Sequence, residues 1–227
     1  MILVTGHKGY IGSLLYEKIG DIGIDLNDGL NLLTCDLPKG IDIIFHLAAQ
    51  SFVESSHTDP LHDLDNIRIT ARLVKEYPNA RIIYTNSAAA KEPIMSVYGF
   101  SKHTSAEYIK KFHNDYVICT LPNVYGKNDK SVVDKFKGME SVTIYGDGLQ
   151  TRDYVHVDDI INGLILAIGW SKGEYELGSG KPTSVLELAK DKTIIFAPPR
   201  KEARESILKN TTPNWRHTIN VLDYVNN

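Results

Sequence analysis

The chain has 227 residues, 42% hydrophobic and 23% charged, enough apolar content to bury one globular core with a small appended lobe. A formal net charge of -3 excludes the overall basic field that draws nucleic acid, and no apolar run approaches the ~20 residues of a membrane helix. The two cysteines, Cys35 and Cys119, lie in apolar stretches without a C-x-x-C spacing, so they read as buried free thiols in a reducing, cytoplasmic compartment rather than as a disulfide or metal pair.

The opening "ILVT" (2–5) reads as a buried strand and not as a signal peptide, since it has neither a charged n-region nor a cleavage site. Gly6, Gly9 and Gly12 follow at intervals of three, and a helix is expected from about Tyr10. A strand, a glycine turn and a helix N-terminus together form a phosphate cradle: Gly6 permits the tight turn, Gly9 lets a pyrophosphate approach the backbone, and Gly12 permits close packing of the helix. A second short strand, "DIGID", ends at Asp25, 19 residues after Gly6. That is close to the ~20 at which an acid bonds the adenosine ribose hydroxyls. A carboxylate there repels a 2′-phosphate and favours NAD over NADP, although Lys8 inside the loop keeps NADP open.

Further strands are expected at "IIFHLAA" (43–49), "RIIYTN" (81–86) and "YVICTL" (116–121), with helical patterns from Asn66 and from Tyr98 between the later ones. This alternation predicts an α/β fold with a doubly wound parallel sheet over residues 1–126. After about residue 126 the rhythm breaks down. Turn signals at Gly138, Gly146 and Gly148 lead to an amphipathic helix near Asp158 or Asp159, and residues 127–227 read mainly as a smaller lobe interleaved with the core.

Tyr98 and Lys102 stand four apart on a predicted helix and share a face. A phenol with a reference pKa of ~10 is a poor base at pH 7. A lysine ammonium ~6 Å away at an effective dielectric of ~20 contributes about 2.8 kcal/mol, roughly two pK units. The expectation is that Lys102 lowers the Tyr98 pKa and makes it a proton acceptor near neutrality. Ser87, just past the strand "RIIYTN", is placed to bond the same substrate oxygen.

Together these stretches resemble the extended short-chain dehydrogenases/reductases, in particular their NAD-dependent nucleotide-sugar epimerase/dehydratase branch, almost end to end. The resemblance makes "VTGHKGYIGS" the cofactor loop, with Gly6, Gly9, Tyr10, Ile11 and Gly12; "CDL" the adenine contact, with Asp36 and Leu37; and "HLAAQ" the strand beneath the pyrophosphate, with Leu47, Ala48 and Ala49. It assigns Thr85, Tyr98, Lys102 and Pro122 to the cofactor as well, Ser87, Tyr98 and Lys102 to catalysis, and Ser87, Asn123, Gln150, Arg152 and Arg200 to a nucleotide-diphospho-sugar. The guanidinium groups are suited to its phosphates. The implied reaction is epimerisation through a transient 4-keto intermediate, as in UDP-glucose 4-epimerases. A reductase of a 4-keto nucleotide sugar and a dinucleotide-binding sensor or scaffold without turnover remain as alternatives.

The resemblance also implies a homodimer through the helix carrying Tyr98 and Lys102 and the helix before it, where Ile67, Phe100, Tyr108 and Phe112 are available. Two departures stand out. Ala88 and Ala89 occupy the place of the Asp-Glu pair that serves water elimination in 4,6-dehydratases, so dehydration is not expected. Only 11 residues lead from Ser87 to Tyr98 and little helix remains between Asp36 and Ile43, which marks a shortened member lacking a loop over the sugar.

The other polar groups read more plainly. His57 and His62, with Asp59 and Asp63 nearby, are expected on a polar surface with no metal. His156 is expected to satisfy backbone, Asp158 and Asp159 to start a helix, and Lys127, Lys130, Lys135 and Lys137 to form a solvated face.

Overall fold

Leu3 and Val4 have no exposed surface, as the centre of a sheet covered on both faces requires. They belong to β1 (Ile2–Thr5), which pairs in parallel with β2 (Ile22–Ile24) on one side and with β3 (Ile43–His46) on the other. β3 pairs in parallel with β4 (Arg81–Ser87), so Ser87 is the last residue of that strand rather than the first beyond it. With β5 (Tyr116–Leu121) and β10 (Gly173–Glu176) the sheet has six strands in the order β10-β5-β4-β3-β1-β2. The structure is a computed structural model and describes residues 1–50, 60–91, 96–127, 131–199 and 205–226.

Helices α1 (Tyr10–Ile19), α2 (Pro60–Glu76) and α3 (Val97–Phe112) lie between the strands, as the doubly wound reading expects. α2 starts at Pro60, six residues before the apolar pattern that announces it. A proline fits the first turn, where its missing N–H has no partner to lose. α3 begins at the cap Ser96, whose Oγ accepts from the Gly99 N–H at 2.9 Å. Chain order reverses between β1 and β3, and in such sheets ligands bind beyond the strand ends at that reversal.

The chain forms two compact units, Met1–Thr120 with Leu164–Tyr175, and Leu121–Gly163 with Glu176–Asn227. The core of the first includes Leu3, Ile44, Leu73, Ile82, Ile109 and Ile118, and the unit also buries His46 and His113. His46 is 1% exposed, with Nδ1 2.9 Å from Thr5 Oγ1 and Nε2 3.0 Å from Thr70 Oγ1. The Thr70 hydroxyl donates to the Asn66 carbonyl, so it accepts from Nε2–H and Thr5 donates to Nδ1. This neutral tautomer ties β1, β3 and α2 together.

Burial, reinforced by Lys102, lowers the His46 pKa to about 3. The folded value lies below the unfolded ~6.5, so the unfolded chain takes the proton first. The stability is fully present above pH ~6.5 and drains away as pH falls toward 3, by about 2 kcal/mol at pH 5. Urea midpoints at pH 7.5 and pH 5 are expected to show this loss, and His46→Gln is expected to flatten it.

In the second unit β7 (Ser141–Tyr145) pairs in parallel with β12 (Thr193–Ala197), burying Val142 and Ile144 while the alternate residues face outward. β6 (Asn123–Tyr125) pairs with β9 (Tyr154–His156), and β8 (Thr151–Arg152) lies between β11 (Thr183–Ser184) and β13 (Glu205–Ser206). Helices α4 (Val132–Phe136), α6 (Val185–Leu188) and α7 (Val221–Asn226) contribute Val133, Phe136, Leu188, Val221 and Val225 to its core.

Helix α5 (Val157–Leu166) begins just after His156, whose Nδ1 accepts from the Asp158 N–H at 3.2 Å. Asp159 does more than start this helix. It is 3% exposed and accepts from the Thr218 N–H, the Thr218 hydroxyl and the Ile219 N–H at 2.8, 2.8 and 3.0 Å. It therefore pins a segment about sixty residues away. Lys137 is not simply solvated either, since its Nζ lies 4.1 Å from the Tyr224 ring centroid. Lys130 and His57 lie outside the described residues, and among those described no helix is long and apolar enough to cross a membrane.

Candidate active site

The three loop glycines have different jobs. Gly6 has φ +74, and a Cβ there would come within 2.7 Å of the Ala48 nitrogen, so the turn after β1 lies directly against the chain leaving β3. A Cβ on Gly12 would meet the Gly6 carbonyl oxygen at 2.0 Å, which shows that this glycine admits the turn itself rather than the sheet. At Gly9 the nearest atom, again the Gly6 carbonyl oxygen, would be 3.2 Å away, a much milder conflict. The fold needs the first and third glycines, and the second remains open to a ligand.

Gly9 is also the cap residue of α1. It offers no side-chain cap, and the first turn carries no acid, so the leading N–H groups of Tyr10, Ile11 and Gly12 are suited to an anion. This cradle fits the pyrophosphate of a dinucleotide. Leu47, Ala48 and Ala49 follow β3 at its rim, partly buried, and the Ala48 N–H donates to Thr5 Oγ1 at 3.3 Å.

Asp25 is 8% exposed and follows β2. Its Oδ1 accepts from the Asn27 N–H at 2.8 Å, capping the 3-10 turn Leu26–Asp28, and its Oδ2 accepts from the Lys8 N–H at 3.0 Å. Each oxygen keeps a second lone pair for a ribose hydroxyl. Asp36 is exposed, and Leu37 is partly buried against the core of the unit.

Ser87, Tyr98 and Lys102 come together at the end of β4 and the start of α3. The Ser87 hydroxyl lies near enough to the Tyr98 phenol to lower its pKa, and Ser87 Oγ accepts from the Ala89 N–H at 3.2 Å. Thr85, two residues earlier, uses its hydroxyl to reach the His46 carbonyl at 3.3 Å. Lys102 is 3% exposed, with Nζ 4.2 Å from the centroid of the Tyr84 ring. Gly99 permits this start of the helix, because a Cβ would come within 2.3 Å of the Ala89 carbonyl oxygen.

The electrostatics differ from the sequence expectation. Burial raises the Tyr98 pKa, Asp63 raises it further, and only the nearby Ser87 hydroxyl works the other way. Burial also lowers the Lys102 pKa to about 7. Coulomb attraction alone therefore overstates the effect of the lysine, because desolvation opposes charge on both groups.

Asp63 corrects a second expectation, since it is fully buried rather than part of a polar surface. It lies one turn before Asn66 on α2. Asn66 Nδ2 donates to Ser101 Oγ at 3.0 Å, and Ser101 bonds the Tyr98 carbonyl at 2.9 Å, which sets the Asp63 turn against the Tyr98 turn. The signal was available: once α2 starts at Pro60, Asp63 and Asn66 share a face. Asp63→Asn is expected to lower the Tyr98 pKa. Phenolate absorbance of this variant minus that of Asp63→Asn/Tyr98→Phe measures it, and an unchanged titration would show that the carboxylate has no hold on the phenol.

In the second unit Pro122 is buried at the start of β6, and the neighbouring Asn123 has an exposed side chain and donates its N–H to the Asp153 carbonyl at 3.1 Å. Gln150 is 8% exposed, with Nε2 donating to the Tyr145 carbonyl at 3.2 Å. Arg152 lies in β8, with Nη1 donating to the Thr151 carbonyl at 2.8 Å. Arg200 lies outside the described residues.

A sequence model of the NAD dependent epimerase/dehydratase family matches residues 2–178. A putative UDP-glucose 4-epimerase of Methanocaldococcus jannaschii is 30% identical over 243 aligned positions, covering 83% of this chain and 80% of that protein. The UDP-glucose 4-epimerase of Mycolicibacterium smegmatis is 28% identical, covering 92% of this chain and 90% of its own length. The first alignment is longer than the 227 residues of the chain itself, so the relative carries segments that this chain lacks. Among solved structures, the UDP-glucose 4-epimerase of Thermotoga maritima with UDP-glucose superposes with a TM-score of 0.80 at 25% identity, covering 99% of this chain and 96% of that one. The glycine cradle and the neighbouring Ser87, Tyr98 and Lys102 thus sit in a chain that belongs to the NAD dependent epimerase/dehydratase family.

Proposed function

We propose that this protein is an NAD-dependent epimerase that inverts C4 of a UDP-sugar through a transient 4-keto intermediate. The observation that carries the reading is the convergence of Ser87, at the end of β4, on the Tyr98 phenol, with Lys102 one turn along the same helix. Names of relatives and of a solved structure, all UDP-glucose 4-epimerases, point to the same chemistry.

Gly9 and the α1 N-terminus would hold the pyrophosphate of NAD, Asp25 the adenosine ribose, Asp36 and Leu37 the adenine, and Lys102, Thr85 and Pro122 the nicotinamide end. When bound, this cofactor supplies a reversible hydride acceptor and a positive charge. Tyr98 accepts the proton of the C4 hydroxyl and later returns it, while Ser87 donates a hydrogen bond to the same oxygen. Lys102, whose pKa of about 7 leaves it readily titrated, takes up positive charge when the phenol gives up its proton. Asn123, Gln150, Arg152 and Arg200 are proposed as contacts of the nucleotide diphosphate. Ala88 and Ala89 carry no group that can move a proton, which supports epimerisation over dehydration.

The reading includes a homodimer, supported by Leu61, Leu64 and Phe100, which α2 and α3 leave 70%, 43% and 49% exposed. It places the protein in the cytoplasm, where the free thiols of Cys35 and Cys119 persist. The deciding experiment has two parts: mass spectrometry of small molecules released on denaturation, and incubation with UDP-glucose, UDP-galactose, UDP-glucuronate and UDP-N-acetylglucosamine scored for C4 epimers. Released NAD and one interconverting pair are expected. Absence of any interconversion, with NADPH consumed on a 4-keto nucleotide sugar, would replace the epimerase by a reductase.

A further inference from the structure

Lys8 is the one fixed cation of the glycine loop, and its charge has a partner. Asp28, at the end of the 3-10 turn after β2, forms an ion pair with Lys8 Nζ through Oδ1, while its Oδ2 lies 3.1 Å from His7 Nε2. Both sides of this arrangement are anchored. The His7 ring packs on Tyr16 with centroids 4.8 Å apart and fills the space where a Cβ on Gly23 would meet it at 2.4 Å. On the other side Asp25 holds the Lys8 N–H and the Asn27 N–H, and the turn closes on Gly29 at φ 75. Two neighbouring loop residues therefore converge on one carboxylate.

We propose that Asp28 is a specificity-determining residue for the cofactor, engaging Lys8 so that the loop offers two carboxylates and no free cation where a 2′-phosphate would lie. The proposal rests on the dinucleotide reading above. Its logic is negative selection: Asp25 welcomes ribose hydroxyls, and a phosphate gains nothing from Lys8 while that charge is already neutralised. The ion pair is partly exposed, Lys8 at 48% and Asp28 at 27%, so it contributes little to stability and can be removed without unfolding the turn.

The test is binding rather than turnover. Thermal shift and calorimetry are run with NAD and with NADP on the wild type, Asp28→Asn and Asp28→Ser, and on Asp28→Asn/Lys8→Ala. The wild type is expected to respond to NAD and barely to NADP. Both single variants are expected to gain about tenfold in NADP affinity with NAD affinity little changed, and the double variant to lose that gain. Variants that bind NAD normally and NADP no better than the wild type overturn the role of Asp28 and leave the cofactor reading standing. A wild type that binds neither dinucleotide overturns both.

Discussion

Tyr98→Phe is expected to reduce kcat for C4 epimerisation by about a thousandfold, within the range that a positioned acid-base group supplies, while the fold and dinucleotide binding persist. Phenylalanine keeps the ring and its packing and removes only the oxygen. Ser87 still accepts the Ala89 N–H at 3.2 Å, so the change in stability is expected to stay within about 1 kcal/mol. Turnover, NAD thermal shift and melting temperature measured on one preparation separate the two effects. Retention of wild-type turnover would remove Tyr98 from the chemistry, and a collapse of the melting temperature would make its role structural.

The second large effect falls on the glycine turn. A Cβ at position 12 would lie 2.0 Å from the Gly6 carbonyl oxygen, and Gly6 has little room to recoil. Its N–H donates to the Ile24 carbonyl at 2.8 Å, its own carbonyl accepts from the Gly9 N–H at 3.0 Å, and its Cα faces the Ala48 backbone. Gly12→Ala is therefore expected to cost about 3 kcal/mol or more, as overpacking against backbone does, and to weaken dinucleotide binding as a consequence. Gly9→Ala is the instructive contrast. Its Cβ would meet the same Gly6 oxygen at 3.2 Å, a few tenths of an ångström too close, so stability should fall by far less than in Gly12→Ala while affinity for NAD drops sharply. Urea denaturation and NAD titration of the two variants check this; equal stability losses would mean that both glycines serve the fold alone.

Much of the architecture was legible because it is local. An apolar run followed by glycines at 6, 9 and 12 specifies a strand, a turn and a helix within about twenty residues, and the interval from Tyr98 to Lys102 is one turn of whatever helix contains it. The strands at 2–5 and 116–121 have the ends the apolar runs indicate. The helix from Tyr98 is equally plain, since Ser96 supplies a cap and no proline interrupts the pattern. The resemblance to a dinucleotide-dependent sugar-nucleotide family rested on such short ordered motifs.

What the amino-acid string determined by itself was the order of elements, the glycine cradle and the shared face of Tyr98 and Lys102, each set by spacing within one element. Only the tertiary structure decided that Asp63 is buried and raises the Tyr98 pKa, that Asp159 reaches Thr218, and that Lys8 is spoken for by Asp28. It also decided that burial, and not attraction to the lysine, sets the direction of the Tyr98 pKa. The physical reason is common to all four. Desolvation and charge pairing depend on which surfaces meet across tens of residues of sequence, and a periodicity of 2 or 3.6 carries no record of that distance.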